Sequence, residues 1–148
     1  MKKKFGQQWF KSVTFFTMML ILSSARTAHA EEIEFSLVSG SDIPPIESKF
    51  VRKYLSGQKA TWPDGTPVVL ILLPSGSPEM IWLCKSVIKM PEATYRRFVM
   101  EKSLRGGLKI IEVETADEAV IALKENTGAI APIPTGSVAE NLFSVDLN

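Results

Sequence analysis

VVLILLPSGSP, residues 68–78, is the stretch that decides the fold of this chain. Its first six residues, Val68 to Leu73, are all apolar, whereas a strand covered on one face only would alternate polar and apolar side chains. The unbroken run therefore predicts a central strand covered on both faces, as in a parallel sheet. Ser77 is a good helix N-cap and Pro78 suits a first helical turn, so a helix should begin directly after the strand.

The segments on either side follow the same logic of alternating elements. Upstream, residues 33–38 alternate like a strand, and apolar residues then recur every four positions up to Gly57, like a helix. Downstream, the patterns predict helices over 78–89 and 91–105, a strand over 109–114, a helix from a Thr115–Glu118 capping box to Asn126, and a strand over 129–133. The order β-α-β-α-α-β-α-β predicts an α/β fold with a mostly parallel sheet flanked by helices.

The first thirty residues have the character of an export signal. Residues 1–30 contain five basic residues and no acid, an apolar run over 13–22, and an Ala28-His29-Ala30 ending. A basic start, a short apolar core and a small-x-small ending predict a cleaved secretory signal peptide. A membrane span needs roughly twenty apolar residues, which makes an uncleaved anchor the minor interpretation. Because the residue directly after Ala30 is Glu31 and not Cys, we expect a periplasmic protein that is not a lipoprotein.

Removing residues 1–30 of the 148 leaves a domain of 118 residues, 31–148, whose last part, 134–148, has weak patterning. The 17 basic residues fall to 12 while all 16 acidic residues remain, so the net charge becomes −4. This balance argues against nucleic-acid binding. The only His, His29, leaves with the signal, and the lone Cys84 can form neither an internal disulfide nor a Cys-rich zinc site. We therefore expect no metal and no cofactor.

The middle of the chain resembles a known family. Residues 54–58 and 61–69 are similar to the "FLGK…W-x-DG-x-x-V" segment of substrate-binding proteins of phosphate ABC transporters. Residues 88–95 resemble their "VLGMSPAQLERYW" segment, and residues 115–130 resemble their closing "S-x-x-E-V…N-P-G-A-I-G-Y-V" segment. The resemblance covers residues 50–133 and is strongest to the short, single-domain periplasmic relatives.

The resemblance implies about one lobe of a type-2 periplasmic binding-protein fold. Full-length phosphate receptors close two lobes over the anion and hold it with hydroxyls, backbone N–H groups, an Arg and an Asp. Here the family's Arg-Ser-Asp is replaced by Leu72-Leu73-Pro74, and most of the first lobe is absent. The implied ligand is phosphate or a similar small oxyanion, and a homodimer could supply the missing wall.

Three segments are candidate anion ligands. Ser75, Gly76 and Ser77 lie where a buried strand gives way to a helix, a place where free N–H groups favour anions. Ser39, Gly40 and Ser41 follow the first strand and would face that loop if both lie at the same sheet edge. Arg105, before Gly106-Gly107, could bring a positive charge. Each segment also has a purely structural interpretation, as a helix cap, a turn and a helix stop with a solvated Arg.

Other conspicuous residues favour structural roles. Trp62 and Trp82 are expected to pack in or against the core rather than to serve as a ligand platform, and Cys84 should be a buried, inert thiol. Arg96 and Arg97 are expected on the solvated face of their helix. With no His, no nucleophile elbow and no Walker A loop after residue 30, enzyme activity is not predicted.

Two functions from different classes remain open. The first is a soluble periplasmic module that binds phosphate or a similar oxyanion through Ser hydroxyls and backbone N–H groups. The second is a ligand-free interaction or regulatory module that docks on a membrane transporter or sensor. The retained Ser-Gly-Ser favours the first function, and the missing Arg and Asp favour the second.

Overall fold

The structure is a computed structural model, and it describes residues 33–43, 46–145 and 147. The predicted signal peptide lies outside these residues. The described residues form five strands and four α-helices, in this order: β1 (Phe35–Ser39), α1 (Ser48–Leu55), β2 (Val69–Leu72), α2 (Pro78–Trp82), α3 (Glu92–Leu104), β3 (Lys109–Glu112), α4 (Ala116–Glu125), β4 (Ala129–Pro134) and β5 (Phe143–Ser144). The predicted α/β class with a mostly parallel sheet flanked by helices is confirmed.

The strand predicted from residues 68–73 is the best-covered strand of the sheet. All four residues of β2 are buried, and Val68 and Leu73 beside it are buried as well. Because successive side chains of a strand point to opposite faces, full burial means that the protein covers both faces of the sheet here. Ser77 then caps α2 as predicted, since its Oγ accepts a hydrogen bond from the Met80 N–H at 3.3 Å.

The helix that begins at Pro78 changes its winding before it ends. A π-helical segment, Leu83–Ile88, continues α2, and the Met90 N–H donates to the Cys84 carbonyl at 3.2 Å. Lys89 ends the segment in the left-handed region, with φ 58°. The chain then restarts as α3, which agrees with the break expected before Pro91.

The sheet has the strand order β3-β2-β4-β1-β5. Strands β2, β3 and β4 are parallel, while β1 pairs antiparallel with both β4 and β5. Four strands therefore point one way and β1 points the other way. The short strand β5 comes from the weakly patterned tail, which the sequence did not predict to contain a strand.

The reversed direction of β1 decides where the loops lie. Ser39, the last residue of β1, is in register with Ile130, and Ile130 is in register with Leu70. The end of β1 thus lies beside the beginnings of β2 and β4, because its direction is opposite to theirs. Residues 39–41 and 75–77 consequently lie at opposite ends of the strands: the first loop is at the amino ends of the parallel strands, and the second is at their carboxyl ends.

Candidate functional site

The loop of residues 75–77 lies at the carboxyl end of β2, where ligands bind in open α/β sheets. Ser75 and Gly76 are exposed, and Gly76 has φ +79°, a conformation that favours glycine. The Ser77 hydroxyl is already engaged as the cap of α2. The donors that the loop could offer to a ligand include the Gly76 N–H and the Ser75 side chain.

An internal carboxylate occupies the Gly76 donor. The Gly76 N–H is 3.2 Å from both carboxylate oxygens of Glu92, the first residue of α3. The Glu92 side chain is only 16% exposed, so the carboxylate is largely shielded from solvent where it contacts the loop. The Glu92 carboxylate therefore occupies the position at the Gly76 N–H in which an anionic ligand of this loop would have to bind.

Arg96 holds the carboxylate in place. Its Nε donates to Glu92 Oε1 at 3.0 Å, its guanidinium also donates to the carbonyl of Leu73, and its Nη1 lies 3.6 Å from Glu112 Oε1. The side chain is 19% exposed, so the prediction that Arg96 lies on a solvated face is wrong. A side chain that joins α3 to the ends of β2 and β3 cannot be recognised from helical periodicity alone.

The pKa of Glu92 reflects this network. Partial burial by itself would raise the pKa of the carboxyl, but hydrogen bonds from Arg96, Ser75 and Gly76 oppose it, and the pKa is lowered from the ordinary value. The carboxyl is thus ionised at neutral pH. Two carboxylates, Glu92 and Glu112, then share one guanidinium, and this surplus of negative charge disfavours a further anion.

The expectation that residues 39–41 face residues 75–77 is wrong, because β1 is antiparallel to its neighbour. Ser39 is fully buried, and its Oγ accepts a hydrogen bond from the Ser41 N–H at 3.2 Å. The Gly40 N–H donates to the Ala129 carbonyl at 3.0 Å. A Cβ on Gly40 would lie 2.0 Å from the Leu123 carbonyl oxygen, so this glycine permits a close approach to the end of α4.

Arg105 belongs to neither loop. It follows α3 and precedes β3, which places it at the amino ends of the parallel strands, away from residues 75–77. Strands β2 and β4 separate β3 from β1, so about 14 Å lies between the strand that Arg105 precedes and the strand that residues 39–41 follow. Arg105 is exposed and paired with Glu101 at 2.5 Å. The seven candidate residues therefore lie in three separate places.

Trp62, Trp82 and Cys84 have structural roles, as the sequence indicated. Trp62 is 3% exposed, donates from Nε1 to the Gly128 carbonyl at 2.9 Å and stacks on Tyr54 with ring centroids 4.4 Å apart. Trp82 is half-buried against the core. Cys84 is buried, and burial raises the pKa of its thiol to about 11, so the thiolate is scarce at neutral pH.

Two surface features were missed by the sequence reasoning. The first is a groove of about 510 Å³ along the outer edge of β1, and its lining includes Phe35, Trp82 and Leu147. The second is a group of lysines around the half-buried ring of Phe50. The spacing of Lys49 and Lys53, four residues apart on a helix, was the sequence signal that could have identified part of the second feature.

Some classes of site are not represented among residues 33–43, 46–145 and 147. These residues contain no group of three His, Cys, Asp or Glu side chains that could hold a metal ion. Within the same ranges, no helix is long and apolar enough to cross a membrane.

Comparisons with known proteins give a structural likeness but no matching family. No protein-family model matches the chain, and no curated protein matches it. A solved ABC-type phosphate transport receptor from Vibrio cholerae is similar over 76% of this chain, with 13% identity and a TM-score of 0.49. The likeness covers 45% of the receptor, so the chain spans less than half of that protein's length.

Proposed function

We propose that the chain is a non-enzymatic periplasmic module that acts by docking on a protein partner of the cell envelope, and not by enclosing a small anion. The observation that carries this proposal is the Glu92 carboxylate at the Gly76 N–H, 3.2 Å from each of its oxygens. The loop that would bind an oxyanion already binds one from its own chain. An incoming phosphate would have to displace Glu92 from Arg96 and would then still face Glu112.

The separation of the other candidate residues supports the same conclusion. Anion receptors gather several donors around one point, whereas here residues 39–41 and Arg105 lie at the opposite end of the strands from Ser75. The buried hydroxyl of Ser39 and the guanidinium of Arg105 each have a partner within the chain. An open loop surface whose Gly76 N–H is already bonded to Glu92 would bury only a small part of a ligand.

A small-oxyanion binder remains the second candidate, because one observation favours it. Both oxygens of Glu92 lie at the Gly76 N–H, so the loop presents its donor in a geometry that accepts an oxyanion. If the chain is an oxyanion binder, phosphate, the ligand implied by the resemblance, competes with the Glu92 carboxylate for the Gly76 N–H.

Thermal unfolding separates the two candidates. We would unfold and refold the purified wild-type chain to remove carried-over ligand, then titrate phosphate against sulfate and chloride at constant ionic strength. A ligand at a hundred times its Kd adds about 2.7 kcal/mol of stability. We expect no phosphate-specific shift up to millimolar concentrations. A saturable shift with phosphate alone would overturn the docking proposal in favour of the second candidate.

Two variants show whether Glu92 is the reason for a flat response. Glu92→Gln removes the charge that occupies the loop, and Glu125→Gln removes an exposed charge from the end of α4 as a matched control. A phosphate response gained only by Glu92→Gln would mean that the carboxylate closes the loop. The docking itself is tested by crosslinking in intact cells, where the chain should be recovered in a discrete complex with an envelope protein.

A further inference from the structure

The half-buried ring of Phe50 in α1 is surrounded by ammonium groups. The Nζ atoms of Lys49, Lys53 and Lys59 lie 5.1, 5.2 and 5.8 Å from the ring centroid. Each distance is within the range of a cation–π contact, which stabilises a cation over an aromatic face. The ring thus brings three positive charges together on one exposed surface, which we call the lysine patch.

The lysine patch is locally unbalanced in charge. Residues 48–63 contain four basic residues, Lys49, Arg52, Lys53 and Lys59, and no acidic residue. Among the ion pairs between described residues, the one in this region joins Lys49 to Glu47, and both side chains are more than 60% exposed. Such an exposed pair contributes little, because solvent screens it. The patch therefore keeps a surplus of positive charge although residues 31–148 carry a net charge of −4.

Grouping these charges has a cost for the folded chain. Lys49 and Lys53 are four residues apart on α1, and like charges at this spacing repel each other. Lys59 comes to the same ring from the loop after the helix. A negatively charged partner would relieve this repulsion, so the patch is complementary to acidic groups.

The surroundings of Phe50 indicate what kind of acidic partner fits. The ring is packed against the core, and the apolar residues Val51, Tyr54 and Leu55 of α1 are buried. Binding in the plane of a membrane requires an apolar helix face that can enter the lipid, and here that face is already used by the core. The remaining surface is exposed and basic, which suits carboxylates carried by a protein segment.

We propose that the lysine patch is the surface through which the protein docks on an acidic segment of its protein partner. This inference rests on the proposed function, since it names the surface and the partner chemistry of that docking. Attraction between exposed charges is screened within about 10 Å at 0.1 M salt. The interaction should therefore weaken strongly as ionic strength rises.

The test uses a fluorescent peptide of six glutamates as the probe. Binding is followed by anisotropy with the wild-type chain, with Lys49→Glu/Lys53→Glu/Lys59→Glu, and with Lys85→Glu/Lys89→Glu/Lys124→Glu, which reverses three exposed lysines elsewhere. We expect salt-dependent binding by the wild type, at least a tenfold loss in the patch variant, and less than a twofold change in the control. Thermal melts of all three proteins confirm that they are folded.

Several outcomes would overturn the inference. An equal loss in both triple variants would mean that the peptide senses only the overall charge. Failure of the wild type to bind the peptide at low salt would exclude an acidic segment, and binding to vesicles of anionic phosphatidylglycerol instead would make the patch a membrane-facing surface. These failures differ from failure of the proposed function, whose mark is a phosphate-specific stabilisation of the wild type.

Discussion

Gly40 shows how little space a single position can have. An added Cβ would meet the carbonyl oxygen of Leu123 at 2.0 Å and that of Asn126 at 3.1 Å. Both atoms are backbone atoms at the end of α4, so they cannot move aside as a side chain would. The turn after β1 therefore needs glycine for packing, and an anion-binding role is not required to explain it.

Gly40→Ala should consequently destabilise the protein. Forcing an extra methyl group into a packed contact costs about 1–3 kcal/mol, and the free energy of unfolding measured by urea denaturation should fall by about that amount. Gly136→Ala is the matched control, because a Cβ there meets nothing within 4 Å. Equal stabilities of the two variants would contradict the close approach of the turn to α4.

Glu92 is the residue that most changes the interpretation of the loop. Gly76 and Glu92 are 16 positions apart, and a helix and a turn lie between them. Nothing in the local pattern around Glu92 marks it as a partner of the loop. Its role depends on where α3 begins relative to the end of β2, which is a property of the packed fold.

At the scale of elements, helix boundaries follow local chemistry closely. The Thr115 Oγ1 accepts from the Glu118 N–H at 3.2 Å, and Glu118 Oε2 accepts from the Glu114 N–H at 2.8 Å. The Thr115 bond is the one expected of a capping box at the start of α4, whereas Glu118 reaches the N–H of Glu114, one residue before the N-cap, instead of that of Thr115. Ser77 caps α2 in the same way through one hydrogen bond. Caps are predictable because donor and acceptor are only three or four residues apart.

Removal of the Ser77 cap should cost stability without changing the fold. Loss of an N-cap hydroxyl costs about 1 kcal/mol, so Ser77→Ala should lower the free energy of unfolding by about this amount in chemical denaturation. Ser86→Ala, at an exposed position of the π-helical continuation, is the control and should be nearly neutral. Indistinguishable variants would show that the Ser77 hydroxyl does not stabilise α2.

At the scale of the whole molecule, stability should be concentrated in the middle of the sheet. Strands β2 and β4 have neighbours on both sides and are almost wholly buried, whereas β3 is an edge strand and β5 has two residues. Native-state exchange reports local opening, which is rarest where backbone groups are buried and paired.

Amide hydrogen exchange should therefore rank the strands. We expect the slowest exchange for amides of β2 and β4, intermediate exchange for β1, and the fastest exchange for β5 and for the outer edge of β3. The ranking is measured by NMR on the folded protein at several pH values, with exchange in denaturant as the reference. Protection of β5 equal to that of β2 would contradict the order of stability in the sheet.

The direction of β1 is the feature of the whole molecule that the sequence could not provide. The alternation over 33–38 predicts a strand but does not distinguish parallel from antiparallel pairing, because side-chain periodicity is the same in both. The direction of a strand relative to its neighbour depends on which strand it pairs with. β1 pairs with β4, which lies about ninety residues later in the chain, and the pairing is antiparallel. Because β1 runs antiparallel to β4, residues 39–41 lie at the opposite end of the strands from residues 75–77.

The sequence by itself determined the α/β class, the buried central strand over residues 68–73, the caps at Ser77 and Thr115, and the packing roles of Trp62 and Cys84. These features depend on side-chain periodicity, on composition and on hydrogen bonds between residues close in the chain. Only the tertiary structure decided the direction of β1, the hydrogen bond between the Gly76 N–H and Glu92, and the grouping of three lysines around the ring of Phe50. Each of these depends on how separate segments pack in space, and no local pattern records that information.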